Sequence, residues 1–233
     1  NFLLKKQSSD KPIRAFCFLN LGVFGKASYN LVLIKGTSMK IIILISSLFL
    51  SACVSKPSYK VSQKEIKPGT EVSVKGKKLK LFDKTKPIKT GESISKFTKG
   101  IANPEEFEGQ VTLINVVPSV DTTVCEEQTH ILGESKKIHP SVKRVSISRD
   151  LPMAQARFAK EAKLENITYY SDFKEAAFGK ESGLLIIDNG LLARGVMVVD
   201  KEGVIRYMQF VPELTELPNM DKAIAVANDL AKK

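Results

Sequence analysis

One cysteine stands where its sulfur could be reactive. Cys125 ends the stretch PSVDTTVC, which begins at Pro118, follows an apolar run and precedes a predicted helix. The first turn of a helix offers unpaired backbone N–H groups and the positive end of the helix dipole, and both favour an anion. Such surroundings lower the pKa of a thiol from its ordinary value of about 8.5. The spacing therefore predicts a thiolate, although a lone cysteine is more often a small buried hydrophobic side chain.

The residues beside Cys125 predict how this helix begins. Thr122 lies where a helix N-cap is expected, and Thr123 with Glu126 has the spacing of a capping box. Both features would satisfy backbone N–H groups at the helix start. They predict that the cysteine is carried on a well-defined first turn.

Apolar runs and turn residues predict an α/β sandwich in one domain. Strands are predicted over 111–117, 143–148, 167–170, 193–199 and 204–211, and a hairpin over 72–81. Helices are predicted from 124 onward, over 152–164 and over 219–233, whereas 83–110 is polar and predicts a loop. The alternation of strands and helices places the cysteine helix directly after a buried central strand.

The N-terminal segment resembles a bacterial lipoprotein signal. After Met39 and Lys40 come an apolar run over 41–50 and then Leu50-Ser51-Ala52-Cys53, which is similar to a lipobox. The run is too short to span a bilayer as a helix but suits a signal peptide. We expect residues 1–38 to be an upstream extension outside the native product, 39–52 the signal and Cys53 the lipid attachment site. The alternative is a core strand that happens to end in Ala-Cys.

This resemblance implies a location for the chain. Residues 53–70 are polar and contain prolines, which predicts a tether that holds a domain of residues 71–233 off a membrane. We expect the protein to be lipid-anchored in the bacterial cell envelope on the periplasmic side. Val54 rather than aspartate follows the cysteine, which favours the outer membrane over the inner one.

Charge is unevenly distributed along the chain. The formal net charge is +11, and residues 54–100 contain 13 lysines against 4 acidic residues, whereas residues 101–233 have more acidic than basic residues. The lysine-rich stretch lacks the interleaved aromatic and arginine residues of nucleic-acid binders. It favours a solvated surface or an attraction to anionic membranes, and no nucleic-acid partner is expected.

Three blocks of sequence resemble one enzyme family. Pro118, Thr122 and Cys125 match the Pro-x-x-x-Thr-x-x-Cys signature of peroxiredoxins, and PSVDTTVC is similar to the thiol peroxidase branch, the atypical two-cysteine type. The segments 149–158 and 192–200 also resemble that branch, so the resemblance covers about residues 71–233. It implies a thioredoxin-like fold with a central mixed sheet flanked by helices. It also implies reduction of hydrogen peroxide and organic hydroperoxides without a cofactor or a metal, and a homodimer.

The resemblance also implies roles for four residues. Cys125 would be the peroxidatic nucleophile, and Thr122 would hydrogen-bond the thiolate and the peroxide. Pro118 would shield the sulfur from water. Arg194 would stabilise the thiolate and polarise the O–O bond, because preorganised donors stabilise charge that develops on a leaving oxygen. Without that resemblance, these three neighbours read as a helix cap, a strand stop and a surface charge.

One departure from the branch changes the expected mechanism. A resolving cysteine commonly follows the Arg-Phe of the helix, but here Ala159 follows Arg157-Phe158. With Cys53 lipidated, no second thiol remains in the mature chain. The sulfenic acid on Cys125 would then be reduced by an external thiol, either a thioredoxin-like protein or a small thiol.

Other classes of function fit the sequence less well. A dithiol reductase would need Cys-x-x-Cys, which residues 122 and 128 exclude around Cys125. A metal site or a hydrolase would depend on His130 and His139, the only histidines, and neither is suitably spaced. The remaining alternative is a non-catalytic envelope lipoprotein that uses a peroxiredoxin-like domain for binding.

Overall fold

The computed structural model describes residues 14–19, 27–32 and 58–233 of the chain. By its contacts the chain divides into two units, Asn1–Val54 and Ser55–Lys233. In the first unit, β1 (Arg14–Leu19) pairs antiparallel with β2 (Ala27–Val32), within the segment expected to be an upstream extension. The expected signal peptide and Cys53 lie outside the described residues, so the lipoprotein signal stays a prediction.

The second unit contains seven strands and five helices within residues 58–233. A hairpin of β3 (Glu71–Val74) and β4 (Lys77–Lys80) comes first, followed by α1 (Ser95–Thr98) and a 3-10 turn at Pro104–Phe107. The remaining elements, in chain order, are β5 (Thr112–Val116), α2 (Thr123–Glu134), β6 (Lys143–Ser148), α3 (Pro152–Glu161), β7 (Thr168–Ser171), α4 (Ala177–Ser182), β8 (Gly195–Val199), β9 (Ile205–Phe210) and α5 (Met220–Ala231).

Five strands form a mixed central sheet in the order β7-β6-β5-β8-β9. β5, β6 and β7 run parallel, and β8 runs antiparallel to both β5 and β9. β5 is buried along its whole length because both faces of the sheet are covered. This sheet and its flanking helices confirm the predicted fold class, and the predicted N-terminal hairpin is present.

The two faces of the sheet bury different halves of the core. One face packs against the β3–β4 hairpin, α1 and α4, with Ile114 and Met197 among its buried side chains. The other face packs against α2 and α5, with Leu113 and Val196. The alternation along β5 and β8 produces this division, since successive side chains of a strand point to opposite faces. The cysteine helix α2 belongs to the second face.

The register of β5 and β8 joins two distant parts of the sequence. Val116 pairs with Gly195, so Arg194 lies beside the end of β5 where the segment before α2 begins. Gly195 has no room for a side chain, because a Cβ atom there would lie 2.3 Å from Cδ1 of Phe210 and 2.5 Å from the carbonyl oxygen of Gln209. The close approach of β9 therefore requires glycine next to Arg194.

The segment predicted as a tether is partly packed on the domain. Ser62 is buried, and its N–H donates to the carbonyl of Leu217. The N–H of Ile66 donates to the carbonyl of Phe210. Lysines alternate with these anchoring residues and remain at the surface, which gives the stretch its polar composition. Residues 60–66, which belong to the segment predicted as a tether, are therefore hydrogen-bonded to the folded unit.

Two regions contain short helices where loops were expected or no element was assigned. α1 and the 3-10 turn lie inside 83–110, and α4 spans only six residues. Ala176 and Gly183, which bound α4, both have left-handed backbone angles. No helix among the described residues is long and apolar enough to cross a bilayer.

Candidate active site

The helix that carries Cys125 begins differently from the predicted cap. Thr122 is the N-cap residue in extended conformation, but its hydroxyl makes no cap hydrogen bond and instead donates to Sγ of Cys125 over 2.8 Å. The predicted capping box is wrong, because Thr123 is already helical and the N–H of Glu126 donates to the carbonyl of Thr122. The sulfur lies three residues on, within reach of the same hydroxyl.

Arg194 approaches the sulfur from the neighbouring strand. Its Nη2 donates to Sγ of Cys125 at 3.2 Å, its Nε to the carbonyl of Leu214 at 2.9 Å and its Nη1 to Oε1 of Gln128 at 2.8 Å. Arg194 is 2% exposed and Cys125 is 0% exposed. Three acceptors fix the planar guanidinium, two of them on α2 and one in the segment after β9, so one of its nitrogens is directed at the sulfur.

The charge of Arg194 has no carboxylate partner within residues 58–233, where the ion pairs join other residues. A buried cation is costly unless an anion or several well-placed acceptors compensate it. Here two of the acceptors are neutral oxygens and the third is the sulfur of Cys125. A thiolate at Cys125 would supply the missing negative charge.

Sequence reasoning missed the buried amides that support Arg194. Gln128 donates through Nε2 to the side chain of Asn115 and, over 2.9 Å, to the carbonyl of Gly195. Asn115 in turn donates to Thr129, whose hydroxyl donates to the carbonyl of Cys125 over 2.7 Å. The available signals were an asparagine inside the apolar strand β5 and a glutamine three residues after the cysteine, on the same face of α2.

The other predicted site residue, Pro118, is buried in the link between β5 and α2. Its neighbour Val117 donates its N–H to the carbonyl of Ile147 in β6, which holds the start of the link against the sheet. The structure therefore brings Thr122, Cys125 and Arg194 into direct contact and places Pro118 on the link that leads to them.

The histidines lie apart from this contact. His130 lies on α2 between Glu126 and Glu134, with Nδ1 at 2.8 Å from the Glu134 carboxylate. His139 contacts Ser141 instead. No cluster of metal-ligating side chains occurs in the described part of the chain.

Ala159, the residue at which the family resemblance predicts a second cysteine, lies within α3 and is buried. Cys125 is the only cysteine of residues 58–233. An internal disulfide within that unit would therefore require a second thiol that it lacks.

Comparisons with known proteins identify the family of the chain. A family model described as Redoxin matches residues 99–224. The thiol peroxidase of Bacillus subtilis (strain 168) is 35% identical over 167 residues, which cover 70% of this chain and 99% of the relative. The thiol peroxidase of Aquifex aeolicus (strain VF5) is 41% identical over 123 residues, covering 52% and 72%. A crystal structure of a peroxiredoxin-like protein from Aquifex aeolicus superposes with a TM-score of 0.58 at 32% identity, covering 69% and 96%.

The chain therefore belongs to the redoxin family, as a peroxiredoxin of the thiol peroxidase group. It is an oxidoreductase of the peroxiredoxin type, and the predicted thioredoxin-like fold is confirmed.

Proposed function

We propose that this protein is a thiol-dependent peroxidase that reduces hydrogen peroxide and organic hydroperoxides through one peroxidatic cysteine, Cys125. The observation that carries the proposal is the buried guanidinium of Arg194, which has no carboxylate partner among residues 58–233 and directs Nη2 at Sγ over 3.2 Å. The guanidinium and the Thr122 hydroxyl are hydrogen-bond donors of the kind that an anionic sulfur accepts. The thiolate is the nucleophilic form of cysteine.

The oxidation step is a displacement at oxygen. The thiolate attacks one oxygen of ROOH, an S–O bond forms and the O–O bond breaks. The sulfur is oxidised to a sulfenic acid, and the departing RO⁻ takes a proton and leaves as an alcohol or as water. Nη2 of Arg194, which lies 3.2 Å from the sulfur, would donate to the oxygen on which charge develops and so would lower the barrier.

Thr122 and Pro118 shape this step. The Thr122 hydroxyl donates to the sulfur over 2.8 Å, and Thr122 as a residue is exposed. It can therefore orient both the thiolate and an incoming peroxide oxygen. Pro118 is buried, has no N–H group and keeps water from the start of the link.

Restoring the thiol requires an outside reductant. The sulfenic acid on Cys125 condenses with an external thiol, forming a mixed disulfide and releasing water. A second external thiol then attacks that disulfide, so Cys125 leaves as a thiolate and the reductant becomes a disulfide. A thioredoxin-like protein or a small thiol would suit this role, because Ala159 offers no resolving sulfur.

The cellular setting of the proposal comes from the sequence. The lipobox-like segment ending at Cys53 supports a lipid anchor in the bacterial cell envelope on the periplasmic side. A homodimer is expected from the family resemblance. Globomycin sensitivity of processing in cells would test the anchor, and accumulation of an unprocessed chain is the expected result. Normal processing of a Cys53→Ala chain would contradict it.

Intact mass spectrometry tests the catalytic proposal. Residues 54–233 contain the complete second unit with Cys125 as its single cysteine. One equivalent of hydrogen peroxide with a sulfenic-acid trap should add one trap molecule within seconds, and Cys125→Ser should add none. An unmodified thiol in the intact-fold protein would instead favour the alternative, a non-catalytic envelope lipoprotein that binds through this domain.

A further inference from the structure

A cavity of about 750 Å³ lies at the edge of the central sheet. Its lining comes from the edge strand β9, from two segments outside the sheet, residues 65–68 and 85–92, and from Lys96. Its volume is within the range of roughly 300–1,000 Å³ that is typical of small-molecule sites. None of the four residues with a proposed role at the active site lines this cavity, so a ligand here would occupy a separate site.

Backbone hydrogen bonds hold the two segments against β9. The N–H of Ile66 donates to the carbonyl of Phe210 over 2.9 Å, and the N–H of Gly91 donates to the carbonyl of Ile205 over 2.8 Å. These bonds attach the segments to opposite ends of the strand, since β9 runs from Ile205 to Phe210. The cavity over the middle of β9 is therefore already formed, and binding there requires no movement of the chain.

The interior of the cavity is apolar. Ile88 and Phe210 are each 1% exposed, and Ile66 and Met208 are half-buried against the same core cluster. We call these four side chains the floor. Methionine is unbranched and adapts to the shape of a neighbour. An aliphatic chain placed on the floor would be removed from water, which is favourable in proportion to the apolar area that is covered.

Positive charge surrounds this floor. Four exposed lysines of the lysine-rich stretch 54–100 line the cavity, and we call them the rim lysines: Lys67, Lys86, Lys89 and Lys96. Two glutamates, Glu65 and Glu92, also line it, and Glu92 lies 3.6 Å from Lys96. Within residues 58–233 the ion pairs involve none of the other three rim lysines. The rim therefore keeps a positive charge that an anionic group would compensate.

We propose that this cavity is a binding site for an amphiphile that joins an aliphatic chain to an anionic head group. The chain would cover the floor. The head group would lie among the rim lysines, whose own aliphatic stems can pack along apolar surface. A free fatty acid and an anionic phospholipid share this chemistry, whereas an acidic peptide would leave the floor without an apolar partner. The site goes beyond the proposed peroxidase function and does not depend on it.

Isothermal titration calorimetry of residues 54–233 with myristate tests the site. Both hydrophobic clusters of the central sheet lie within residues 66–231, so this part of the chain contains its own core. Myristate below its micellar concentration should bind saturably, and raising NaCl from about 0.05 M to about 0.5 M should weaken it because salt screens the rim lysines. Tetradecyltrimethylammonium, which has the same chain and a cationic head, should not bind.

Reversal of charge at the rim tests the head group. Lys86→Glu combined with Lys89→Glu replaces two exposed lysines, so the fold should remain intact while the affinity for myristate falls about tenfold or more. The matched control is Lys136→Glu combined with Lys160→Glu. Both of these lysines are exposed and do not line the cavity, and the net charge changes by the same amount. The control pair should keep the affinity within about twofold of wild type, since charges beyond a Debye length are largely screened.

A polar substitution in the floor tests the aliphatic chain. Met208→Gln keeps the length of the side chain but replaces its apolar end with an amide, and Met208 is only half-buried. The affinity for myristate should fall by a factor of about three to ten, because apolar area on the floor is lost. Phe210 is left unchanged, since it packs closely against Gly195 next to Arg194.

Two sources of the ligand are then separated with vesicles. Co-sedimentation with vesicles of phosphatidylglycerol and phosphatidylcholine, lost in both the rim and the floor variants, would identify a phospholipid, with phosphatidylcholine alone as the control. Myristate binding without such co-sedimentation would identify a free fatty acid. Absence of saturable myristate binding would overturn the inference, as would binding that survives both variants or displacement of myristate by hexaglutamate at equal concentration. Binding is measured without peroxide, so it is read separately from any failure of the peroxidase proposal.

Discussion

Two charged side chains that lie near each other, Arg194 and Glu213, are both held by uncharged hydrogen-bond partners. They differ in the kind of partners that surround the charge. Arg194 is a buried cation that donates to the carbonyl of Leu214, to Gln128 and to Cys125. Glu213, the residue just before Leu214, is a half-buried anion with no cation in contact in the described unit. Both charges therefore depend on dipoles that the backbone and uncharged side chains supply.

Both carboxylate oxygens of Glu213 accept hydrogen bonds. Burial opposes its ionisation, but hydrogen bonds from the N–H of Lys75, the hydroxyls of Ser73 and Thr215 and the N–H of Gly76 outweigh it and hold the pKa of the carboxyl at about 2. These donors come from the β3–β4 hairpin and from the segment after β9. The charge thus joins the hairpin to the segment after β9, where the carbonyl of Leu214 accepts from Arg194.

Arg194 has oxygen acceptors for two of its three nitrogens, and the third faces the sulfur of Cys125. Its Nε and Nη1 donate to oxygen atoms, whereas the acceptor of Nη2 within residues 58–233 is the sulfur of Cys125. The comparison shows that a charge held by neutral hydrogen-bond partners can have two different roles in this molecule. Glu213 has a full set of neutral donors and ties two segments of the fold together, whereas the third acceptor of Arg194 is the sulfur of the proposed active site.

The largest expected effect comes from replacing the planar guanidinium of Arg194, which donates to three acceptors, with a single ammonium group. Arg194→Lys keeps the positive charge but cannot reach Leu214, Gln128 and Cys125 together, because an ammonium lacks the planar set of donors. The second-order rate constant for peroxide should fall about 100-fold or more, the range for loss of an oxyanion-type donor. Stopped-flow oxidation of Cys125 measures it. A rate within threefold of wild type would show that charge alone suffices.

A smaller effect is expected from giving Arg194 the carboxylate it lacks. Gln128→Glu pairs the guanidinium with an anion and removes the donor to Asn115 and Gly195, so less of the charge is available to the sulfur. The rate constant for peroxide should fall about tenfold, equal to about 1.4 kcal/mol. The same stopped-flow assay tests it, with Glu127→Gln on the exposed side of α2 as the matched control. Unchanged kinetics would mean that Arg194 tolerates a competing anion.

The smallest effect is expected at Glu213, and it should appear in stability rather than catalysis. The folded-state pKa is lowered to about 2 from an ordinary 4.5, so the carboxylate stabilises the fold fully above pH 4.5, and the contribution is lost as the pH falls towards 2. Glu213→Gln should lower the free energy of unfolding by about 1 kcal/mol at pH 7 after solvent screening.

Urea unfolding at a series of pH values measures that difference. It should shrink steadily between pH 4.5 and the acid limit of the folded state, and Glu216→Gln next to it serves as a control with fewer donors. A difference that stays constant with pH would show that the carboxylate form is not the one that stabilises the hairpin.

Much of the fold follows from local sequence pattern. The predicted strand 143–148 coincides with β6, and the apolar run 111–117 contains β5, because a strand buried on both faces must be apolar throughout. α4 was not predicted, since six residues bounded by left-handed Ala176 and Gly183 give too little periodicity. The packing of Ser62 and Ile66 was hidden by the lysines between them.

The site was predicted in part for the same reason. The place of Cys125 at the start of a predicted helix singled it out, and resemblance to the family added the roles of Pro118, Thr122 and Arg194. Gln128 and Asn115 required knowing which faces of α2 and β5 meet. The carbonyl of Leu214 has no sequence signature at all, because any residue supplies a carbonyl oxygen. The local capping interpretation failed because the sulfur, not the backbone, takes the Thr122 hydroxyl.

The pairing of Val116 with Gly195 has a consequence for how the molecule matures. These partners are roughly 80 residues apart in sequence, and long-range pairings of this kind form late and set folding speed. Cys125 and the start of its helix can arise locally, but the guanidinium reaches the sulfur only once β8 has docked against β5. A newly made chain would therefore remain slow to oxidise until the central sheet is complete. Under the proposed function, rapid reaction of Cys125 with peroxide would therefore report that β8 has docked against β5.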